Sequence, residues 1–166
     1  MEIERKFLVN SKLTPSLSDY PKHEMDQGYI STDPVVRIRR SDEKFILTVK
    51  SGGLLSREEF EMFLTEDQFT GLSIHVQGLI IEKTRYLIPC SPYTIELDVF
   101  HGALEGLLYA EVEFPSVEEA EAFTPPSWFG REVTEDGSFT NAALSRLGKD
   151  EVDAFLKTVL TAVSAD

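Results

Sequence analysis

Cys90 is the only cysteine in 166 residues, so no intramolecular disulfide is possible. A thiol without a partner fits a reducing compartment and points to the cytoplasm. Histidine is nearly as scarce. His23, His75 and His101 are scattered with no metal-ligand spacing, which excludes a histidine-based zinc centre and a Ser-His-Asp site. There is no glycine-rich loop ending in Lys-Ser or Lys-Thr, so the usual loop route to phosphates is closed. Ser41-Asp42-Glu43-Lys44 has S-x-x-K spacing, but it lies in a polar turn and is a coincidence of composition. No apolar run approaches the length that spans a bilayer, and no basic segment precedes an apolar one at the N-terminus, so neither a membrane span nor a secretion signal is expected. Cations are few, 16 Lys and Arg against 29 Asp and Glu, and the net charge of −13 argues against nucleic-acid binding through a basic surface.

What the chain does have is a repeated spacing of two. Glu2, Glu4 and Lys6 open it, and Gln27/Tyr29, Arg37/Arg39, Thr48/Lys50, Glu59/Glu61, Lys83/Arg85, Glu96/Asp98 and Glu111/Glu113 follow. On a strand, residues two apart share one face and lie about 6.5 Å from each other. The residues between are mostly apolar: Ile38, Val49, Phe60, Leu97 and Val112. A half-solvated sheet would give the same alternation. The pairs, however, are largely sorted by sign, whereas a face built for solubility mixes signs. Adjacent like charges repel and are easiest to keep where a counter-ion binds. The eight carboxylates and six cations of these pairs nearly balance, which suits an enclosed polar lumen holding metal ions and a polyanion together. Such a lumen carries −2 and leaves −11 for an acidic exterior.

The length favours one domain, burying roughly seven-tenths of the unfolded chain's surface. Strands are expected near 2–9, 24–31, 34–40, 44–50, 57–64, 79–88, 93–101 and 107–115. Thr65 with Gln68, and Ser116 with Glu119, form capping-box patterns that open short helices to about Leu72 and Phe123. A further helix is expected from Phe139 to Leu147 with Gly148 just past its end, and Asp150 caps a last helix to about Val163. That helix has Val152, Phe155, Leu156, Val159 and Leu160 on one side. Eight antiparallel strands with one polar face close into a barrel, an α+β fold whose helices cover the apolar outside.

In order along the chain, Glu2-Ile3-Glu4-Arg5-Lys6, Gln27-Gly28-Tyr29, Arg37-Ile38-Arg39, Thr48-Val49-Lys50, Arg57-Glu58-Glu59-Phe60-Glu61, Lys83-Thr84-Arg85, Glu96-Leu97-Asp98, Glu111-Val112-Glu113 and the closing Trp128 to Thr134 segment resemble the CYTH superfamily, the triphosphate tunnel metalloenzymes. The likeness covers about residues 1 to 148 and is greatest to the short, single-domain bacterial members. It implies an eight-stranded tunnel binding triphosphate compounds with divalent metal. The appended phosphate-handling helical domain that some larger bacterial members carry is not expected here, and Phe139 stands where a tyrosine is frequent in the family.

Hard carboxylate oxygens suit Mg²⁺ or Mn²⁺. The resemblance assigns Glu2, Glu4 and Glu113, with Glu111 nearby, to the main ion. Glu59, Glu61, Glu96 and Asp98 then serve a second ion or hold basic side chains in place. Lys6, Arg37, Arg39, Lys83 and Arg85 clamp phosphoryl oxygens; the attacking water is activated by a metal ion or, as the resemblance to the short bacterial members offers second, by Lys50 and Tyr29 as a base dyad that requires a depressed lysine pKa. Arg5, on the opposite face, belongs to the outer wall. The expected activity is metal-dependent hydrolysis of inorganic triphosphate to phosphate and diphosphate, by a monomer or homodimer without nucleic-acid or membrane partners. The alternatives are an adenylate cyclase, a thiamine or nucleoside triphosphatase, and a non-catalytic polyphosphate-binding module.

Overall fold

The alternation seen in the sequence becomes one antiparallel sheet that curls on itself. In the computed structural model, which describes residues 1–164, the strands are β1 (Glu2–Val9), β2 (Lys22–Thr32), β3 (Val35–Ser41), β4 (Lys44–Lys50), β5 (Ser56–Arg57), β6 (Glu59–Leu64), β7 (Gln77–Cys90), β8 (Tyr93–Phe100), β9 (Leu108–Glu113) and β10 (Phe129–Glu132). The spatial order is β10-β1-β9-β8-β7-β2-β3-β4-β6, and β5 pairs with β1. A nearly closed barrel results.

Closure is the work of a strand expected to be continuous over 57–64. It breaks at Glu58. Before the break, Arg57 lies opposite Glu2 and Ser56 opposite Ile3; after it, Glu59 lies opposite Lys50 on β4. Glu58 and Ser51 exchange bonds there, with Ser51 N–H donating to the Glu58 carbonyl at 2.9 Å and Glu58 N–H to Ser51 Oγ at 2.8 Å. One strand cannot pair two neighbours over its whole length on the same edge, so it hands over from β1 to β4. β10 was not expected as a strand. It is four residues long and pairs with β1 at Phe7 and Val9 across a register shift.

Four α-helices attach to the sheet: α1 (Glu66–Ser73), α2 (Val117–Ala122), α3 (Asn141–Ser145) and α4 (Lys149–Ser164). The capping box of α1 is complete, with Gln68 N–H donating to Thr65 Oγ1 and Thr65 N–H to Gln68 Oε1. At α2 only half the box forms. Ser116 accepts from Glu119 N–H, while the Glu119 carboxylate turns instead to the Tyr93 hydroxyl at 2.9 Å. The helix expected from Phe139 to Leu147 is shorter, a 3₁₀ turn (Gly137–Phe139) followed by α3 with Thr140 as its N-cap. Gly148 belongs to the start of α4, its carbonyl accepting from Val152 N–H, so Asp150 lies inside the first turn and does not cap it.

The apolar outer wall is covered unevenly. Val152, Val159 and Val163 of α4 pack with Leu8, Phe100, Tyr109 and Leu144, while α2 lies over a second cluster containing Phe7, Ile95, Val112 and Phe114. Leu160, expected on the buried face of α4, is 39% exposed. On the opposite side Phe60 and Met62 of β6 face solvent, so the cover expected there is missing. Gly78, at φ +74°, comes so close to the Ser145 carbonyl that any Cβ would collide with it. That contact seats α3 closely on β7.

Candidate active site

The period-two face of each strand points inward and lines a cavity of about 300 Å³. Seven expected carboxylates reach it: Glu2, Glu4, Glu59, Glu61, Glu96, Glu111 and Glu113. The expected cations Lys6, Arg37, Arg39, Lys50, Lys83 and Arg85 reach it too, as does the ring of Tyr29. Asp98 does not. It is fully buried beneath the lining side chains, 2.7 Å from both Lys83 Nζ and Arg85 Nε, and holds those basic side chains in place. Arg57 takes its place in the lining, as a cation for which no role was expected. Seven carboxylates therefore face seven cations, and the fully ionised lumen is neutral where −2 was expected.

Cross-strand register decides how these charges meet. Lys6 lies opposite Glu111, and Glu111 opposite Glu96; Arg85 lies opposite Asp98. The outcome on β7, β8 and β9 is a dense ion-pair network. Arg85 binds Asp98 through Nε and Nη2 at 2.7 and 2.9 Å and reaches Glu96 at 2.7 Å. Glu111 sits 3.4 Å from Lys6 and 3.7 Å from Arg85. Burial alone would raise the Glu111 carboxyl; Lys6 and Arg85 outweigh it and bring it down to about 2. Asp98 is likewise driven well below the usual carboxylate range, its burial overcome by Arg85 and Lys83. Lys83 is lowered by burial and by Arg85 and Arg39, against the pull of Asp98.

Where β1 meets β5 and the end of β9, the register has the opposite effect. Glu4 lies directly opposite Glu113. Burial raises Glu4 to about 7, and the negative charge of Glu111 adds to the rise. Glu113 is raised by partial burial and then by Glu2, Glu96 and Glu59. Glu2 is raised by burial and by a hydrogen bond with Glu59, although Lys50 opposes this. Lys50 Nζ donates to both Glu2 oxygens, at 2.8 and 3.1 Å. Hard oxygen donors that repel one another around an open cavity match the needs of a divalent cation. Among the described residues, no three Asp, Glu, His or Cys side chains are already gathered at ligand spacing. Glu2 is turned toward Lys50, and Glu111 toward Lys6 and Arg85.

Gln27, one of the period-two residues but given no role, links the remaining groups. Its amide oxygen accepts from Arg39 Nε at 2.8 Å, and its Nε2 donates to the Tyr29 hydroxyl and to Asn141 Oδ1, each at 3.2 Å. Asn141 Oδ1 also accepts from Lys83 Nζ at 3.1 Å. Thr140, Asn141 and Ala142 of the α3 region line the cavity, and α3 also packs against β7 and β2. No periodicity in the sequence marks Asn141. Arg57 did carry a signal, since it continues the Glu59/Glu61 spacing by one more step of two. Arg5 faces outward as expected, bonded to Glu132 and to the carbonyls of Ala120 and Phe123. Phe139 contributes its backbone carbonyl, which accepts from Lys6 Nζ at 3.3 Å.

Comparison with known proteins agrees with this geometry. An inorganic triphosphatase of Nitrosomonas europaea is 44% identical over 149 residues, covering 87% of this chain and 96% of that protein. An inorganic triphosphatase of Acetivibrio thermocellus is 34% identical over 145 residues, covering 86% of this chain and 92% of that protein. The crystal structure of an inorganic triphosphatase matches with a TM-score of 0.66 at 39% identity, over 89% of this chain and 96% of that one. The CYTH domain profile matches residues 1–145, and the chain belongs to that family.

Proposed function

We propose that this protein is a divalent-metal-dependent hydrolase that cleaves the terminal phosphoanhydride of inorganic triphosphate to phosphate and diphosphate. The observation that carries the assignment is the lining of the cavity, in which fourteen of nineteen residues are charged. A ligand in it is recognised by its charge and its oxygens. The two triphosphatase relatives point the same way.

Glu2, Glu4, Glu111 and Glu113 would hold the main Mg²⁺ or Mn²⁺ ion, and Glu59, Glu61 and Glu96 a second. Asp98, locked between Lys83 and Arg85, is not among the ligands. When bound, the ions supply Lewis-acid polarisation of phosphoryl oxygens and offset the negative charge of the substrate. Lys6, Arg37, Arg39, Lys83 and Arg85 bind the remaining oxygens and align the chain of phosphates for in-line attack by water. Phosphoryl transfer asks the protein mainly for positioning and charge stabilisation. Water adds to the terminal phosphorus as its bond to the bridging oxygen breaks, and diphosphate leaves. Lys50 and Tyr29, which both line the cavity, would receive the proton of that water. Lys50 donates to both Glu2 oxygens as an ammonium, and it would accept that proton only as the free amine, after losing its own proton and its pairing with Glu2. The lone half-buried Cys90 and the acidic exterior fit a cytoplasmic protein, as a monomer or homodimer.

The deciding experiment measures phosphate release from tripolyphosphate, ATP, thiamine triphosphate and diphosphate with Mg²⁺ or Mn²⁺ and with excess chelator. Tripolyphosphate should have the highest kcat/KM, diphosphate should be poor, and chelation should abolish turnover. Tenfold preference for ATP, about 1.4 kcal/mol in transition-state binding, would overturn the substrate assignment, and cyclic AMP as main product would make the protein a cyclase. Within the site, Arg39→Ala should mainly raise KM and Lys50→Ala mainly lower kcat.

A further inference from the structure

Arg57 stands at the junction of three cavities: the tunnel, a small recess beneath Leu54 and Phe139, and an outer chamber of about 170 Å³. Its side chain is only 13% exposed. Its Nε is buried and has no hydrogen-bond partner among the described residues. The nearest carboxylate oxygens, Glu2 Oε1 at 3.6 Å and Glu4 Oε1 at 3.8 Å, are beyond hydrogen-bonding distance. A guanidinium has five N–H donors in a planar fork, and a buried donor left without an acceptor is costly. Glu2 does not close the gap because Lys50 holds both of its oxygens. The fork therefore faces open space on either side, with Lys50 beside it in the tunnel and in the outer chamber, where the one acid is Asp33.

We propose that Arg57 is a further catalytic residue of the tunnel, binding the oxygens of the phosphoryl group that lies next to Lys50, which is the group under attack. This rests on the triphosphatase reading above. Arg57 differs from Arg39, Lys83 and Arg85, which are held by protein acceptors: Arg39 by Gln27, Lys83 and Arg85 by Asp98. Those three form a fixed clamp, whereas Arg57 keeps its fork free for an anion. It also sits between Glu2 and Glu4, where its charge stabilises the oxygens of a phosphoryl group held against a carboxylate-bound cation. Bidentate guanidinium–phosphate pairing is suited to charge that spreads over equatorial oxygens during transfer.

The competing explanation is that Arg57 is only a stand-in cation that quiets Glu2 and Glu4 until metal arrives. Arg57→Ala and Arg57→Lys separate the two. Tripolyphosphate hydrolysis is measured at saturating Mn²⁺, tripolyphosphate affinity by calorimetry in chelator, and folding by thermal melting. The proposal expects Arg57→Ala to lower kcat by about 100-fold, the cost of removing one transition-state donor. Affinity should fall by about tenfold, the loss of a charged hydrogen bond, with Arg57→Lys between variant and wild type on both counts. Wild-type kcat at saturating Mn²⁺, together with a lower Mn²⁺ requirement, would establish the stand-in role and overturn the proposal. Unchanged tripolyphosphate affinity would do the same. If Arg57→Ala does not fold, Arg57→Lys reads the same contrast, because it keeps the charge and loses the fork. If wild type binds tripolyphosphate without hydrolysing it, the function assignment falls, and the affinity measurement still decides whether Arg57 touches the anion.

Discussion

The two sides of the tunnel use the same residue types to opposite ends. On β7, β8 and β9, Lys83, Arg85, Asp98, Glu96 and Glu111 neutralise one another at 2.7–3.7 Å, and Glu111 is pulled down to about 2. On β1 and its neighbours, Glu4 lies against Glu113 and near Glu2, and Glu4 is pushed up to about 7. The first wall is complete within the protein. The second is strained by its own charge and becomes comfortable only with a cation. A tunnel lined by fourteen charged groups with no net charge is thus divided into a wall finished in its own ion pairs and a wall of mutually repelling acids. Strand register makes the division, because it sets Lys6 opposite Glu111 but Glu4 opposite Glu113.

The contrast is best broken at Asp98. Asp98→Ala leaves Lys83 and Arg85 buried without their main partner and should destabilise the protein by about 3–5 kcal/mol. Urea denaturation checks this, and a loss below about 1 kcal/mol would mean that the wall is not a mutually dependent network.

The pH dependence of stability should have opposite signs on the two walls. Glu4 has a folded-state pKa raised from 4.5 to about 7, so its contribution is fully present below pH 4.5 and is lost as pH rises through 7. Between pH 4.5 and 8 this amounts to about 3 kcal/mol at most. Glu111 is lowered, so its contribution is present above pH 4.5 and is lost as pH falls toward 2. Thermal melts of chelated protein should show a maximum near pH 4.5–5. Saturating Mn²⁺ should remove the decline toward pH 8.

A smaller change in stability, with a large change in activity, is expected from Glu4→Gln. It removes a repulsive charge at nearly equal volume, so the chelated variant at pH 8 should be more stable than wild type by about 1–2 kcal/mol. It should also lose activity by about 100-fold, because the metal loses a charged ligand. Near-normal turnover at low metal would exclude Glu4 as a ligand. The smallest effect belongs to Asn141→Ala on the finished wall. Asp98 still pairs with Lys83 there, and the loss should be about 1 kcal/mol.

Much of this architecture was legible in the order of residues, because the side-chain period of a strand is two and a buried polar face must repeat at that period. The pairs from Glu2/Glu4 to Glu111/Glu113 marked the lumen, and Thr65 with Gln68 marked a helix start, each through a rule of local geometry. The sequence by itself determined which face of each strand carries charge. Only the tertiary structure decided which charges meet. It buried Asp98 beneath Lys83 and Arg85, brought Arg57 into the lining by breaking a strand at Glu58, and carried Asn141 to Lys83 from fifty-eight residues away. Those outcomes depend on register and closure between segments distant in the chain, and a Coulomb interaction is set by the distance between charges in space, which period-two spacing along one strand does not contain.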